Sequence, residues 1–229
     1  MRKLLAAMAV STLAAGSAHA ADLIIADPVL PMTDAGFDWS GFYAGLNAGY
    51  TAGQATSVGA LTGVTTNVPV SGGLLGATVG FNVQMDSFVL GVEGDIAWTG
   101  ATGTAACTAN PAFTCEGKLN WLGTIKGRAG VAVDSVLFFG TAGLAAGGVT
   151  ANIIPAAVGL TNTHSGTMTG WTVGAGVEAA VTDAITIKAE YQYVSLGGVQ
   201  APVGTLSSTQ ASNLSTINHV VKVGVNFHF

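Results

Sequence analysis

The sequence predicts an all-β chain, namely an eight-stranded antiparallel up-and-down β-barrel that crosses a membrane and is preceded by a cleavable signal peptide. Three observations predict this class. Apolar and polar residues alternate with a period of two in eight segments of about ten residues, the length of a tilted membrane-crossing strand. Short and long connections alternate between these segments. The 33 glycines among 229 residues disfavour helices, because glycine weakens a helix interior.

The first 20 residues have the three parts of a signal peptide. Arg2 and Lys3 supply the positive start, an apolar stretch too short to span a bilayer follows, and Ala18-His19-Ala20 matches a cleavage site. An N-terminal membrane anchor is the alternative interpretation. We expect export with removal of residues 1–20, a periplasmic N-terminal tail over 21–38 and a transmembrane β-barrel over 39–229.

The first four predicted strands each have one apolar face. They cover 41–50, 73–84, 88–98 and 118–131. In the first strand Phe42 and Tyr50 share the apolar face, whereas Tyr43 falls on the glycine-rich face. In the fourth strand, Leu119 and Trp121 are predicted to share the apolar face.

The last four predicted strands cover 136–146, 170–181, 185–194 and 218–229. The fifth is the least regular, because Phe138 and Phe139 fall on opposite faces. The others set an apolar row against glycines and charged residues. A transmembrane helix over 135–151 is the alternative for the fifth segment, but this stretch is barely long enough to span a bilayer.

The connections predict which end of the barrel is which. Three short turns are centred on Asp86, Asp134 and Asp183, whereas 51–72, 99–117, 147–168 and 195–217 have the composition of long loops. Short turns at one end and long loops at the other are typical of outer-membrane barrels. The even strand number puts both chain ends with the short turns. We call this the periplasmic end and the opposite one the external end.

Charged residues predict which strand face is interior. Eight of them fall on the polar faces at similar heights and form what we call the charge layer: Glu93, Asp95, Lys126, Arg128, Glu178, Lys188, Glu190 and Lys222. We expect Glu93 and Asp95 to pair with Lys126 and Arg128 on the neighbouring strand, because an unpaired buried charge is costly. An eight-stranded interior is narrow, so the neutral layer is expected to plug the lumen. The apolar faces, with aromatic residues near both ends, then face lipid.

Enzymatic, metal, cofactor and nucleic-acid functions are not predicted. A catalytic site needs a cleft with a nucleophile or a poised base, and four bases crowd the layer in which Glu93 and Asp95 would hold a metal. Gly174-Ala175-Gly176 lies within one strand, whereas a dinucleotide-binding turn leads from a strand into a helix. The net charge of −5 leaves no basic face for nucleic acid.

Two cysteines, Cys107 and Cys115, lie close together in a predicted external loop. A nearby pair commonly forms a disulfide in an oxidising compartment. Two free thiols are the alternative.

The segment WSGFYAGLNAGY (39–50) and the ending VGVNFHF (223–229) resemble the small alphaproteobacterial outer-membrane β-barrel family, which is similar to the membrane domain of OmpA-like proteins and often labelled porin-like. The resemblance covers Trp39 to Phe229. It implies an outer-membrane location among lipid and lipopolysaccharide, and a terminal signal at Phe227 and Phe229 for the outer-membrane assembly machinery.

The resemblance also implies a structural surface protein that supports envelope integrity and makes external contacts through four long loops. A narrow porin-like channel for ions or small solutes is the first alternative. Binding of an extracellular ligand or host surface by the loops is the second, with haemin at His164 as one example.

Overall fold

Eight antiparallel strands close into a barrel, which confirms the predicted fold class. The structure, a computed structural model, describes residues 36–59, 63–108, 112–155, 162–201 and 212–229, so the predicted signal peptide and most of the predicted tail lie outside the described residues. Each strand pairs with its neighbours in sequence, and the first pairs with the last. The strands are β1 (Gly41–Gly59), β2 (Thr65–Met85), β3 (Phe88–Ala106), β4 (Phe113–Val133), β5 (Val136–Pro155), β6 (Asn162–Ala180), β7 (Ile185–Ala201) and β8 (Ser212–His228).

The strands continue well beyond the predicted membrane spans at the external end. They are 17 to 21 residues long, whereas about ten residues suffice to cross a bilayer. The prediction of long loops over 51–72, 99–117, 147–168 and 195–217 is therefore wrong for most of these residues. Threonine and valine in these segments favour extended backbone, and this preference prevails over the glycine, serine and asparagine that suggested loops.

An irregularity where β4 pairs with β3 and β5 reverses the alternation of β4 near the external end. The register shifts between Trp98 and Ala101 in β3, and between Leu119 and Trp121 in β4. The prediction that Leu119 faces lipid is wrong, because its side chain is 3% exposed and lies inside the barrel. Asn120, which unbroken alternation with Leu119 and Trp121 would put on the inner face, is exposed. One extra residue in a strand moves every later side chain to the other face.

The three predicted short turns are confirmed at the periplasmic end. Asp86 and Asp134 have φ angles of 53° and 52°, a left-handed conformation that aspartate adopts more readily than most residues. In the third turn Thr182 Oγ1 accepts hydrogen bonds from the N–H groups of Ala184 and Ile185, at 3.3 and 3.0 Å. Tight turns of this kind join neighbouring antiparallel strands directly.

The outer face carries the large apolar side chains. Aromatic residues are exposed near both ends of the barrel, as predicted: Phe42, Phe81, Phe88, Phe138, Phe227 and Phe229 near the periplasmic end, and Tyr50, Trp98, Trp171 and Tyr191 near the external end. Two such girdles mark the interfaces of a lipid-facing band. Across the described ranges, we find no helix of the length and apolar character that spans a membrane.

The predicted disulfide between Cys107 and Cys115 is confirmed. It joins the external ends of β3 and β4, with the two Cα atoms 5.2 Å apart. The alternative of two free thiols is excluded.

We expect the unfolded, non-reduced protein to take up no N-ethylmaleimide and the reduced protein to take up two equivalents, because the chain has two cysteines and only a thiolate reacts. Mass spectrometry counts the adducts. A Cys107→Ser/Cys115→Ser variant is the control and should remain unlabelled in both conditions. Two adducts without reduction would contradict the disulfide.

Candidate functional site

The structure brings the eight side chains of the charge layer into one cluster inside the barrel. They come from β3, β4, β6, β7 and β8, and none is more than 5% exposed. Ladder register explains part of the arrangement, because Glu93 lies directly opposite Lys126 and Glu190 directly opposite Lys222. Four acids and four bases make the cluster neutral.

Lys126 lies among three carboxylates. Its Nζ is 2.9 Å from Glu93 Oε1, 2.9 Å from Asp95 Oδ2 and 2.6 Å from Glu190 Oε1. An ammonium group has three N–H donors, so each donor can serve one carboxylate. Oxygen atoms of the three acids lie within 4.8 Å of one another, a spacing that would suit a metal ion. The Lys126 ammonium fills the space between them.

Two further lysines complete a closed network with the same acids. Lys188 Nζ lies 2.7 Å from Glu93 Oε2 and 3.7 Å from Glu190 Oε2. Lys222 Nζ lies 3.2 Å from Asp95 Oδ1 and 3.6 Å from Glu190 Oε2. Every one of these acids therefore contacts at least two lysines, which offsets much of the cost of burying the charges.

Arg128 makes its closest ion pair with Glu178, across the lumen, and lies 3.9 Å from Glu93. The sequence predicts Glu93 and Asp95 as partners of Lys126 and Arg128. The structure brings both acids to Lys126, whereas Arg128 contacts Glu178 far more closely than Glu93. The Arg128 guanidinium also lies 4.0 Å from the centroid of the Phe139 ring, a cation–π contact.

Neutral side chains donate further hydrogen bonds to three of the carboxylates. Tyr43 Oη donates to Glu93 Oε2 at 2.7 Å, Thr78 donates to Asp95 at 2.6 Å, and Asn226 donates to Glu178 at 2.6 Å. The period-two pattern puts Tyr43 on the inner face but gives no indication of this contact. The signal available in the sequence is a single aromatic residue on the glycine-rich face of the first strand.

Apolar clusters lie inside the barrel on both sides of the charge layer. At the periplasmic end, Trp39, Val89, Leu137 and Phe139 are buried together, with Phe37 against them. We call this cluster the periplasmic seal. At the external end lies the external seal: Val68, Val70, Leu74, Ala97, Ala101, Leu119, Leu122, Ala145, Met168, Val194, Leu196 and Val220.

Trp39 is the central residue of the periplasmic seal. It precedes β1, is fully buried, and donates its backbone N–H to Gln84 Oε1 at 2.8 Å. Its ring meets Phe37 edge-on, with centroids 4.7 Å apart. The residues before β1 therefore enter the barrel mouth, a role that strand periodicity does not reveal.

A small cavity of about 50 Å³ lies beyond the external seal. Apolar side chains such as Val149 and Leu214 line it, together with His164 and Met168. The prediction that His164 lies in a long loop is wrong, because it belongs to β6 and is half-buried. No residue of the charge layer lines this cavity.

The two terminal aromatic residues face outward at the periplasmic end. Phe227 and Phe229 are 48% and 77% exposed, and their ring centroids are 5.0 Å apart. The N–H of Phe229 donates to the carbonyl of Phe42 at 3.0 Å, which ties the chain end to β1. Their role in assembly stays a prediction.

Comparison with known proteins gives a consistent result. Residues 5–229 match the model of the outer membrane protein beta-barrel domain family. The 31 kDa outer-membrane immunogenic protein of Brucella melitensis is 34% identical over 96% of this chain and 97% of its own length. The 22 kDa outer membrane protein of Rhizobium leguminosarum is 39% identical over 50% of this chain and 48% of its own. Among solved structures, OprG of Pseudomonas aeruginosa has a TM-score of 0.50 and 13% identity, over 83% of this chain and 97% of OprG.

Proposed function

The chain belongs to the outer membrane protein beta-barrel domain family, and from this premise we propose that it is a structural surface protein of the bacterial outer membrane with a closed interior. The proposal includes the absence of enzymatic activity. The curated relatives are named as outer-membrane or immunogenic proteins, names that imply no reaction.

The observation that carries the proposal is the arrangement of buried side chains inside the barrel. A neutral charge layer spans the lumen, and an apolar seal lies on each side of it. An ion that crossed the barrel would lose its hydration shell in both seals. That loss has a high cost in free energy. A barrel filled in this way serves as a rigid wall element.

The outer surface supports contact with outer-membrane lipid and lipopolysaccharide. Between the two girdles the outward side chains are apolar, which suits acyl chains. Beyond the external girdle, hydroxyl and amide groups form hydrogen-bonded rows, in which Asn120 donates to Thr150 at 2.9 Å and Thr150 lies 3.0 Å from Ser165. Such uncharged polar rows can exchange hydrogen bonds with the sugars of lipopolysaccharide or of a host surface.

A partly exposed ion pair lies on this external wall. Lys118 Nζ lies 3.2 Å from Glu116 Oε1. The amide of Asn152 donates to Glu116 at 2.6 Å, and this hydrogen bond holds the pKa of that carboxyl below its usual range. The carboxylate therefore stays ionised below the pH at which an ordinary glutamate is half-protonated.

We expect the refolded protein to show no steady conductance in planar lipid bilayers in 1 M KCl, where the salt concentration is chosen to magnify any leak. Detergent without protein is the blank. Stable current steps that change in a Glu93→Gln variant would instead show that the charge layer lines a conducting path, and the channel function would replace the structural one.

The second alternative, haemin binding at His164, is tested by absorbance titration of the folded protein with haemin. We expect no saturable Soret shift, because the cavity beside His164 is far smaller than a haem macrocycle. Saturable binding that is lost in His164→Ala would favour the ligand-binding function.

A further inference from the structure

One seam of the barrel opens at the external end. β6 and β7 pair from Ala180 and Thr186 up to Thr169 and Gly197, and no ladder pair among the described residues joins them above that point. β6 nevertheless continues to Asn162, paired with β5. Within the described part of the chain, residues 162–168 therefore have no ladder partner on the side of β7, and we call this side the β6 edge.

The opening coincides with a bulge in β7. The register between β7 and β8 shifts between Leu196 and Val199. Gly198 lies in this bulge with a φ of 86°, a conformation that glycine adopts without steric cost. A bulge bends its strand and ends local pairing, so β7 leaves β6 here while it keeps its ladder to β8.

Backbone groups of alternate β6 residues point into the opening. Lower in the same seam, the carbonyl oxygen of Tyr193 accepts from Thr172 Oγ1 at 3.0 Å, and other odd-numbered carbonyls of β7 lie against glycines of β6. Odd-numbered residues of the two strands thus point their N–H and C=O groups at each other. The same alternation along β6 points the N–H and C=O groups of Thr163, Ser165 and Thr167 into the opening.

The β6 edge lacks the usual protection of a strand edge. Natural edges are commonly blocked by proline, lysine or a bulge of their own, whereas residues 162–168 contain neither proline nor charge. The ladder between β2 and β3 also stops early, after Ser71 and Thr102. There Pro69 lacks an N–H and its carbonyl lies against Gly103, so the two strands stay in contact.

We propose that the β6 edge binds an extended peptide segment of another protein by strand addition. An added strand supplies hydrogen-bond partners for N–H and C=O groups that have none among the described residues. Its inward side chains would enter beside His164 and Met168, where the cavity is lined mainly by apolar groups. The matching segment is therefore uncharged, about seven residues long and alternately apolar and polar, the length and period of the edge itself.

A second copy of this chain in the same membrane does not fit as the partner. Strands of such barrels tilt by about 40° from the membrane normal. A two-fold axis along the normal would therefore cross two β6 edges at about 80°, whereas a ladder needs nearly aligned strands.

Amide exchange followed by NMR on the full chain in nanodiscs tests the free edge. We expect the amides of Thr163, Ser165 and Thr167 to exchange at least tenfold faster than those of His164 and Gly166, whose N–H groups point at β5. Addition of the acetylated and amidated peptide Thr-Val-Thr-Val-Thr-Val-Thr should slow the three fast amides and leave the other two unchanged. Protection of the three amides before any peptide is added would overturn the proposal, because the edge would already be covered.

A matched pair of variants tests the hydrogen bonds. Thr167→Pro removes an N–H that points into the opening, whereas Thr167→Ala keeps it. We expect the peptide to bind Thr167→Pro at least about fivefold more weakly, the effect of one lost hydrogen bond, and Thr167→Ala within twofold of the parent. Heat-modifiable gel migration verifies that both variants fold. Equal binding to the two variants, or no protection of the parent by the peptide, would refute strand addition.

Discussion

Replacing Lys126 with methionine is expected to lower the free energy of unfolding by about 3–5 kcal/mol, the usual cost of breaking a buried ion pair from one side. Methionine keeps most of the side-chain volume but leaves Glu93, Asp95 and Glu190 without the cation that lies 2.6–2.9 Å from each of them. Urea titration of the protein in lipid vesicles, followed by tryptophan fluorescence and gel migration, measures the change.

Lys118→Met is the matched control for this variant, because it makes the same chemical change in the same strand. The Lys118 side chain is 41% exposed and pairs with Glu116 on the outer wall, and a surface pair contributes about 0–1 kcal/mol. Adding Glu190→Gln to Lys126→Met should recover part of the loss, since it removes one of the uncompensated charges. Equal effects of Lys126→Met and Lys118→Met would show that the charge layer contributes nothing specific to stability.

Replacing Trp39 with alanine is the second large effect that we expect, again about 3–5 kcal/mol of lost stability. The ring is fully buried in the periplasmic seal against Phe37 and Leu137, and its removal leaves a void that the rigid strands cannot refill. The same urea titration measures the loss. Trp39→Phe should restore about half of it, because most of the apolar contact returns.

Trp98→Ala is the control for Trp39→Ala. It shows how much stability is lost when a tryptophan outside the periplasmic seal is removed. Trp98 is 66% exposed on the outer face, so lipid can occupy the space that its ring leaves. We expect a clearly smaller loss than for Trp39→Ala. A loss at Trp98 as large as that at Trp39 would contradict the assignment of Trp39 to a sealing role.

The strand pattern and the interior charges were predictable, because both follow from a period of two along the sequence. Glu93 and Lys126 must share a face with their polar neighbours once the strands are identified. Leu119 was not predictable in this way, because the extra residue in β4 becomes visible only when the ladder partners are known. The length of the strands was underestimated, since glycine and serine signal loops locally while pairing with a neighbour stabilises extended backbone.

Partner choice inside the layer could not be read from the sequence either. The pairing of adjacent strands predicts the contact between Glu93 and Lys126. Arg128 instead contacts Glu178 across the lumen, and that distance depends on the curvature of the sheet. The burial of Trp39 could not be predicted from the sequence, for a different reason. Trp39 lies before β1, outside any periodic pattern, and its burial depends on the width of the mouth that it enters.

The lysine network has a consequence for how the barrel is made. Lys222 pairs with Asp95 across 127 residues of sequence, and Lys188 pairs with Glu93 across 95. These contacts join β7 and β8 to β3, so they form only when the last strands curl back towards the early ones. A half-assembled sheet would leave these charged groups unpaired and exposed to hydrocarbon. That exposure disfavours incomplete intermediates. Barrel closure is therefore all-or-none, because the ion pairs form only when every strand is in its correct register.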